Sequence, residues 1–558
     1  MRPIPAGALF VALVPLTFVC ACGESAGDPG DLDAPEVRAA LNGISPGQIE
    51  EHIRVLAHDS LEGRGPGTAG YVGAAAYAES VLRTLGLEPF GDDGTFRQTV
   101  PLRHGTVDDV GSSLRIHASQ PVRDLTYGQD YYLGADLLRT SSQVVEAPVA
   151  FVGFGVSAPD LGYDDYGSLD VRGKVVVWLS GAPASFPSNE RAYYSSGATK
   201  EAEAVRRGAI GTGTFWSPDD PRFRWEVNAN RSRRGSFAWL DGGGMPSRGS
   251  EQIQASASLN HRAAAALFRG SAVPIEEALA AAASSTPQAF DLATRISVDT
   301  RSVHREVESW NVVAKLSGSD PELRDEHVIY VGHIDHFGIG VPVEGDSIYN
   351  GAHDNASGVS IVLEIARAFA GLPSAPRRSV VFLIPTAEEW GLLGSDYFVQ
   401  NPTVAEGDVV GAFSLDMPFL FHPLLDIVPY GAEHSTMGAS VAKAADHLGL
   451  GLGPDPIPEQ VLFIRSDHFS FIRQGIPALF IKSGFETGDP GLDGGEINTA
   501  FRQNLYHTPF DEADQGFDFE SGAGHARVNF LTGYVIAQDD TRPAWNEGDF
   551  FGGLFGPR

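Results

Sequence analysis

Apolar and polar positions are arranged in three different textures along this chain. Between about Ser45 and Gly86 apolar residues recur at helical spacing, in SPGQIEEHIRVLAHD and then in GYVGAAAYAESVLRTLGL, so two helices are predicted, the second ending at Gly86. From about 129 to 290 the runs are short and strand-like, APVAFVGFGVSAP and GKVVVWLSG. A helical KEAEAVRRG, stopped by Gly208, then leads to another apolar run, AIGTGTFW. After Val298 continuous apolar runs (HVIYV, RSVVFLIP, GAFSL, IPALFIKSG) alternate with helical segments such as VSIVLEIARAFAG, which ends at Gly371 before Pro373. Buried strands alternating with helices predict a doubly wound α/β sheet, and the middle block reads as an inserted domain.

The first residues change the picture of where the protein works. Arg2 precedes the apolar run AGALFVALVPLTFV, too short to span a bilayer stably, and a small residue, Ala21, stands before Cys22. Residues 1–21 are therefore expected to be a secretory signal. VCAC followed by GESAGDPGDLD also resembles a bacterial lipobox, so Cys22 is expected to become a lipid-bearing N-terminus, with an ordinary signal peptide and two incidental cysteines as the plainer reading. These two cysteines are the only ones in 558 residues, which leaves the folded part without disulfides or thiolate sites. At 42% hydrophobic and 20% charged the chain is ordinary globular material able to bury a large core. Its 71 acidic residues against 40 basic give a formal charge of −31, which repels phosphate backbones and makes nucleic acid an unsuitable partner.

Chemistry concentrates in the last block. His333 in GHIDHFGIG, Glu388 and Glu389 in TAEEWGLLGS and Asp416 in FSLDM each follow a strand-like run, Asp354 in NGAHDNASG opens a helix, and His507 stands in YHTPFDE. Open α/β sheets bind ligands beyond the carboxyl ends of their strands, so these motifs converge at one edge. Carboxylates and imidazoles without thiolate are the donors of a hydrolytic divalent-metal site, and two metals about 3.5–4 Å apart need one bridging carboxylate. Taken singly, a Glu-Glu pair is ordinary solvated surface and an Asp after a strand is an ordinary cap.

In order, GHIDHFGIG, GAHDNASG, AEEWGLLGS, SLDM, RSDHF and YHTPFDE resemble the motifs of the M28 family of co-catalytic zinc aminopeptidases. LEGRGPGTAGY resembles the family's N-terminal segment, and residues 129–290 resemble its mostly-β protease-associated insert. The resemblance implies a mixed, mainly parallel sheet and a division into signal (1–21), linker (22–40), peptidase domain (41–128 and 291–541), insert (129–290) and C-terminal tail (542–558). It implies two zinc ions per chain, one held by His333, Asp354 and Asp416, the other by Asp354, Glu389 and His507, with Asp354 as the bridge. Glu388 matches the general base, taking a proton from the attacking water and passing it to the leaving amine. Asp335 is placed to accept the other ring N–H of His333, Tyr506 to hydrogen-bond the tetrahedral intermediate, and Arg465 to meet a substrate carbonyl or carboxylate. The peptide bond after Asp354 is cis in the family. His336 and His353 are given no ligand role and read as supporting or exposed, while Asp467 and His468 read as supports.

The expected activity is removal of N-terminal residues from peptides by an exported enzyme that meets the membrane only through a lipid on Cys22. A carboxypeptidase, a glutaminyl cyclase and a non-catalytic binding protein share the fold. The cyclases keep one zinc and a binding protein would have lost ligands, whereas all five stand here. No G-x-S-x-G elbow follows a strand, which disfavours a serine hydrolase. Residue preference, native metal, oligomeric state and the part played by the insert are not legible.

Overall fold

The continuous apolar runs after Val298 become the centre of one sheet, because strands buried on both faces have no polar face to present. In this computed structural model, which describes residues 30–119, 123–218, 220, 224–286, 288–404 and 408–557, strand His327–Val331 lies between Ser379–Ile384 and Val409–Ser414, parallel to both. Ala478–Ser483 continues the parallel order and Asp426–Tyr430 joins it antiparallel. The sheet is thus mixed and mainly parallel in its centre. The signal and lipobox segments lie outside the described residues.

Helices Ser357–Ala370 and Phe519–Gln538 cover one face, with Pro46–Leu56 and Ala69–Thr84 packed around them in the same core. Gly533 has a packing reason: a Cβ there would stand 1.8 Å from the Tyr330 hydroxyl, which donates to the Asn529 carbonyl at 2.8 Å. Leu32, Val37 and Ala40, in the segment expected as linker, are buried in this core, and Pro35–Gly43 is helical. The last segment is no free tail either, since Phe551 is buried on the opposite face of the sheet and Trp545 Nε1 donates to the Gly475 carbonyl at 2.8 Å.

A second core, from Leu114 to Val298, has its own sheet of Ser141–Val152, Val175–Leu179, Gly211–Phe215 and Ser256–Leu259, in parallel order. Helices share this lobe, including Gly197–Arg206, His261–Leu267 and Ile275–Ala283, whose alanine-rich sequences favour that state over strand, so the block is α/β and not mostly β. The two sheets meet in one 28-residue strand, Ala289–Leu316. It pairs with Ser141–Val152 in its first half, with Arg97–Val107 in its second and with Ser379–Ile384 at its end.

Candidate metal centre

Three adjacent strands end side by side, and each delivers a short loop to the same edge. His333 follows His327–Val331, Glu388 and Glu389 follow Ser379–Ile384, and Asp416 follows Val409–Ser414. Asp354 comes from the irregular turn Ala352–Ala356 ahead of its helix, and His507 from the loop after helix Gly494–Asn504. The chain therefore brings together side chains that are up to 174 positions apart, from 333 to 507.

His333 Nε2 lies 3.5 Å from Asp354 Oδ1 and 3.7 Å from both Asp416 Oδ1 and Glu388 Oε2. His507 Nε2 lies 3.0 Å from Asp354 Oδ2 and 3.3 Å from Glu389 Oε2. Asp354 thus faces both imidazoles, one with each oxygen. Burial drives the Glu388 carboxyl well above the usual range, whereas Glu389, against the same burial, is held well below it by the His507 and His336 rings. Burial also pushes the Asp335 carboxyl up to about 7.

These residues fit a metal. His333 Nε2, Asp354 Oδ2, Asp416 Oδ1 and His507 Nε2 are buried without a hydrogen-bond partner, although their neighbours are close, and an unsatisfied buried polar atom is costly. Two groups of donors, His333/Asp354/Asp416 and His336/Asp354/Glu389, each gather within 4.8 Å. In the second, His336 and His507 compete for one role. His336 Nδ1 meets Glu389 Oε1 at 2.5 Å, His507 Nε2 lies against Asp354 Oδ2 and Glu389 Oε2, and the Nε2 of each ring is buried without a hydrogen-bond partner.

The surrounding shell holds these loops. Arg64, from the LEGRGPG segment, is 1% exposed and donates to the carbonyls of Ile334 (2.7 Å), Asn350 (2.5 Å) and Gly351 (2.8 Å), tying the His333 loop to the Asp354 turn. Asp511 accepts the backbone N–H of His353 at 2.8 Å and of Asp354 at 2.9 Å. The Asn355 amide donates to the Leu415 carbonyl at 2.9 Å and accepts from Met417 N at 3.2 Å, joining the turn to the Asp416 loop. The Asp354–Asn355 peptide bond is cis.

Several expected contacts take a different form. The Asp335 carboxylate is 3.9 Å from His333 Nδ1, and that ring N–H meets the Asp335 backbone carbonyl at 3.2 Å instead. The carboxylate accepts from Glu388 N at 3.0 Å, so it positions the loop that carries the expected base. His336 and His353 are not exposed. His353 is fully buried among Phe419, Phe421, Phe501 and Phe517, where burial holds it well below its ordinary value. Asp467 and His468 are likewise buried beside the centre with no hydrogen bond to their side-chain polar atoms. Tyr506 stacks on His507 with ring centres 3.6 Å apart, and its hydroxyl accepts from Arg465 Nη2 at 2.8 Å.

The second lobe leans over this edge. Arg231 Nη2 donates to the Glu389 carbonyl at 3.0 Å, and Arg248 donates to the carbonyls of Trp390 (2.8 Å) and Gly391. Between the lobes lies a cavity of about 630 Å³ that reaches Glu388, Glu389, Arg465, Tyr506 and His507. No sequence pattern announced Arg64, Asp511, Arg231 or Arg248. Arg64 and Asp511 do stand inside quoted motifs, LEGRGPGTAGY and YHTPFDE, but neither was given a role.

Comparison with known proteins places the same residues in one family. The sequence model of Peptidase family M28 matches residues 311–529, which include all five metal-ligand candidates. The chain is 29% identical over 229 residues to a protein named "probable leucine aminopeptidase 2" from Aspergillus oryzae, covering 38% of this chain and 42% of that protein. It is 30% identical over 255 residues to a "Probable glutamate carboxypeptidase" from Arthroderma benhamiae, covering 42% of this chain and 31% of that one. The chain therefore spans well under half the length of these relatives. A solved aminopeptidase from Aneurinibacillus sp. strain AM-1 superposes with a TM-score of 0.50 at 19% identity, over 91% of this chain and 96% of the other, which is a likeness of fold. With the family match falling on the residues that build the centre, residues 311–529 of this chain are a peptidase family M28 domain.

Proposed function

We propose that this chain is a zinc-dependent exopeptidase that removes N-terminal residues from peptides, with two metal ions held by His333, Asp354, Glu389, Asp416 and His507. The observation that carries the reading is the set of buried, unpartnered donor atoms facing one another across Asp354. Zinc bound there would supply Lewis acidity, polarising the scissile carbonyl and lowering the pKa of the attacking water.

The chain's own groups do the rest. Glu388 belongs to neither set of ligands, and its N–H is anchored on Asp335, so its carboxylate is free to accept a proton from the attacking water and deliver it to the leaving amine. Tyr506 accepts a hydrogen bond from Arg465 on its oxygen, which leaves its own proton to be donated to the carbonyl oxygen as negative charge develops there. The acidic surroundings of the centre would hold the ammonium group of a free N-terminus. The second lobe, through Arg231 and Arg248, steadies the Glu388–Gly391 loop and limits access to the cavity between the lobes.

The test is hydrolysis of leucyl substrates against their N-acetylated counterparts by zinc-loaded protein, alongside elemental analysis. Cleavage of the free-amine series alone, with two zinc ions per chain, supports the reading. Comparable rates on both series would move carboxypeptidase action to the front. We also propose that residues 1–21 are removed on export and that Cys22 carries the lipid. Persistence of membrane association in Cys22→Ala would overturn the lipid.

A further inference from the structure

Beside Tyr506 a small recess of about 30 Å³ is lined by the four carboxylates of the metal centre and by three basic side chains, Arg465, Lys482 and Arg502. The resemblance to the peptidase family gave a role to Arg465 alone. Lys482 ends the strand Ala478–Ser483 and is 5% exposed, and its Nζ donates to the Asp416 carbonyl at 3.1 Å. Arg502 comes from the helix Gly494–Asn504, where its Nε donates to Asn498 Oδ1 at 2.9 Å. Both guanidiniums approach the Tyr506 ring, that of Arg465 at 5.9 Å and that of Arg502 at 5.6 Å from its centre.

None of the three has a carboxylate within 4.0 Å among the described residues. Lys482 is buried and the two arginines are partly buried, and a cation drawn out of water without a counter-ion is expensive. Here the four acidic groups facing them are the metal ligands and the base. Two dications would cancel those four charges, leaving two guanidiniums, which do not titrate near neutrality, without an anion of their own. The recess is about the size of one water or one carboxylate group, and it shares Glu388, Glu389, Arg465 and Tyr506 with the lining of the cavity between the lobes.

We propose that this recess is an anion pocket, in which Arg502, Lys482 and Arg465 receive a carboxylate of the peptide substrate next to the scissile bond. The proposal rests on the peptidase reading and names its substrate class. The carboxylate has two possible sources, the side chain of an acidic N-terminal residue or the free C-terminus of a dipeptide.

Three peptides separate them: glutamyl-leucinamide carries only a side-chain carboxylate, leucyl-glycine only a terminal one, and leucyl-glycinamide neither. With zinc-loaded protein, one carboxylate-bearing peptide should exceed leucyl-glycinamide in kcat/KM by at least about tenfold, the discrimination one charge-assisted hydrogen bond supplies. Which peptide it is identifies the source. Arg502→Gln and Lys482→Met should each reduce that preference severalfold, and Arg502→Lys should restore part of it. Calorimetric titration provides a readout apart from turnover: glutarate should bind the zinc-loaded wild type at least about tenfold more tightly than it binds Arg502→Gln. Equal rates on the three peptides together with equal glutarate affinities would overturn the pocket and leave the peptidase reading standing. Tight, Arg502-dependent glutarate binding with none of the peptides cleaved would support the pocket and sink the peptidase reading.

Discussion

Two buried acidic sites in this molecule have opposite surroundings. In the second lobe, Asp165 is 2% exposed, yet both of its oxygens are occupied: Oδ2 accepts from the backbone N–H of Phe154 at 3.0 Å and of Val156 at 3.1 Å, and Oδ1 from the Tyr163 hydroxyl at 2.8 Å. At the edge of the main sheet, Asp354 and Asp416 are equally sheltered, but each has an oxygen with no partner. Burial is the same; satisfaction differs. A buried carboxylate surrounded by donors fastens a turn, whereas one that faces other acceptors and bare imidazole nitrogens makes sense only with a cation among them.

Removing the bridge should separate the two sites most sharply. Asp354→Ala is expected to lose both zinc ions by elemental analysis and all measurable peptidase activity, and retention of two ions at wild-type affinity would break the contrast. Next in size, Glu388→Gln should lower kcat by roughly 10²–10⁴ while zinc content stays near two, as loss of a general base requires. Glu389→Gln should show the reverse order, with metal lost first.

The Asp165 side of the comparison is tested by pH. Burial pushes this carboxyl up to about 6 from 3.8, so between those values the folded chain holds its proton more tightly than the unfolded one. Stability of the second lobe should therefore fall as pH rises from about 4 to 6 and level off above, by up to about 3 kcal/mol. Asp165→Asn should flatten that slope in thermal melts without changing zinc content; an unaltered slope would assign the dependence elsewhere. The smallest effect is expected between the lobes. Arg248→Ala leaves the carbonyls of Trp390 and Gly391 without their donor and should cost roughly tenfold in kcat/KM, equivalent to about 1.4 kcal/mol, with Arg248→Lys recovering part.

The same contrast marks what could be read before any coordinates. His333, Glu388, Glu389 and Asp416 were legible because each stands just past an apolar run, and a strand's end fixes where the next few residues must be. Arg64, Asp511 and Arg248 were not, because each acts on carbonyls or N–H groups, which no side-chain pattern encodes, at separations of up to 287 positions. His336 sits three residues beyond His333, and its burial against Glu389 depended on the path of a loop with no period. Of the helices of the second lobe, Gly197–Arg206 was legible in KEAEAVRRG, whereas alanine-rich runs such as HRAAAAL escaped because they lack an extended polar face to give them away.

The shared strand Ala289–Leu316 has a mechanical consequence. Its ladder with Arg97–Val107 runs without a slip from Ser302 to Val312, and its only irregularities lie earlier, between Asp291 and Val298. A door swings on a gap in the frame, and here the frame is a continuous beam. The bulges belong to the second lobe's own ladder, and where the strand passes into the main sheet, from Ser302 on, its pairing is regular, so the lobes are joined at a stiff stretch of strand and not at a loosened one.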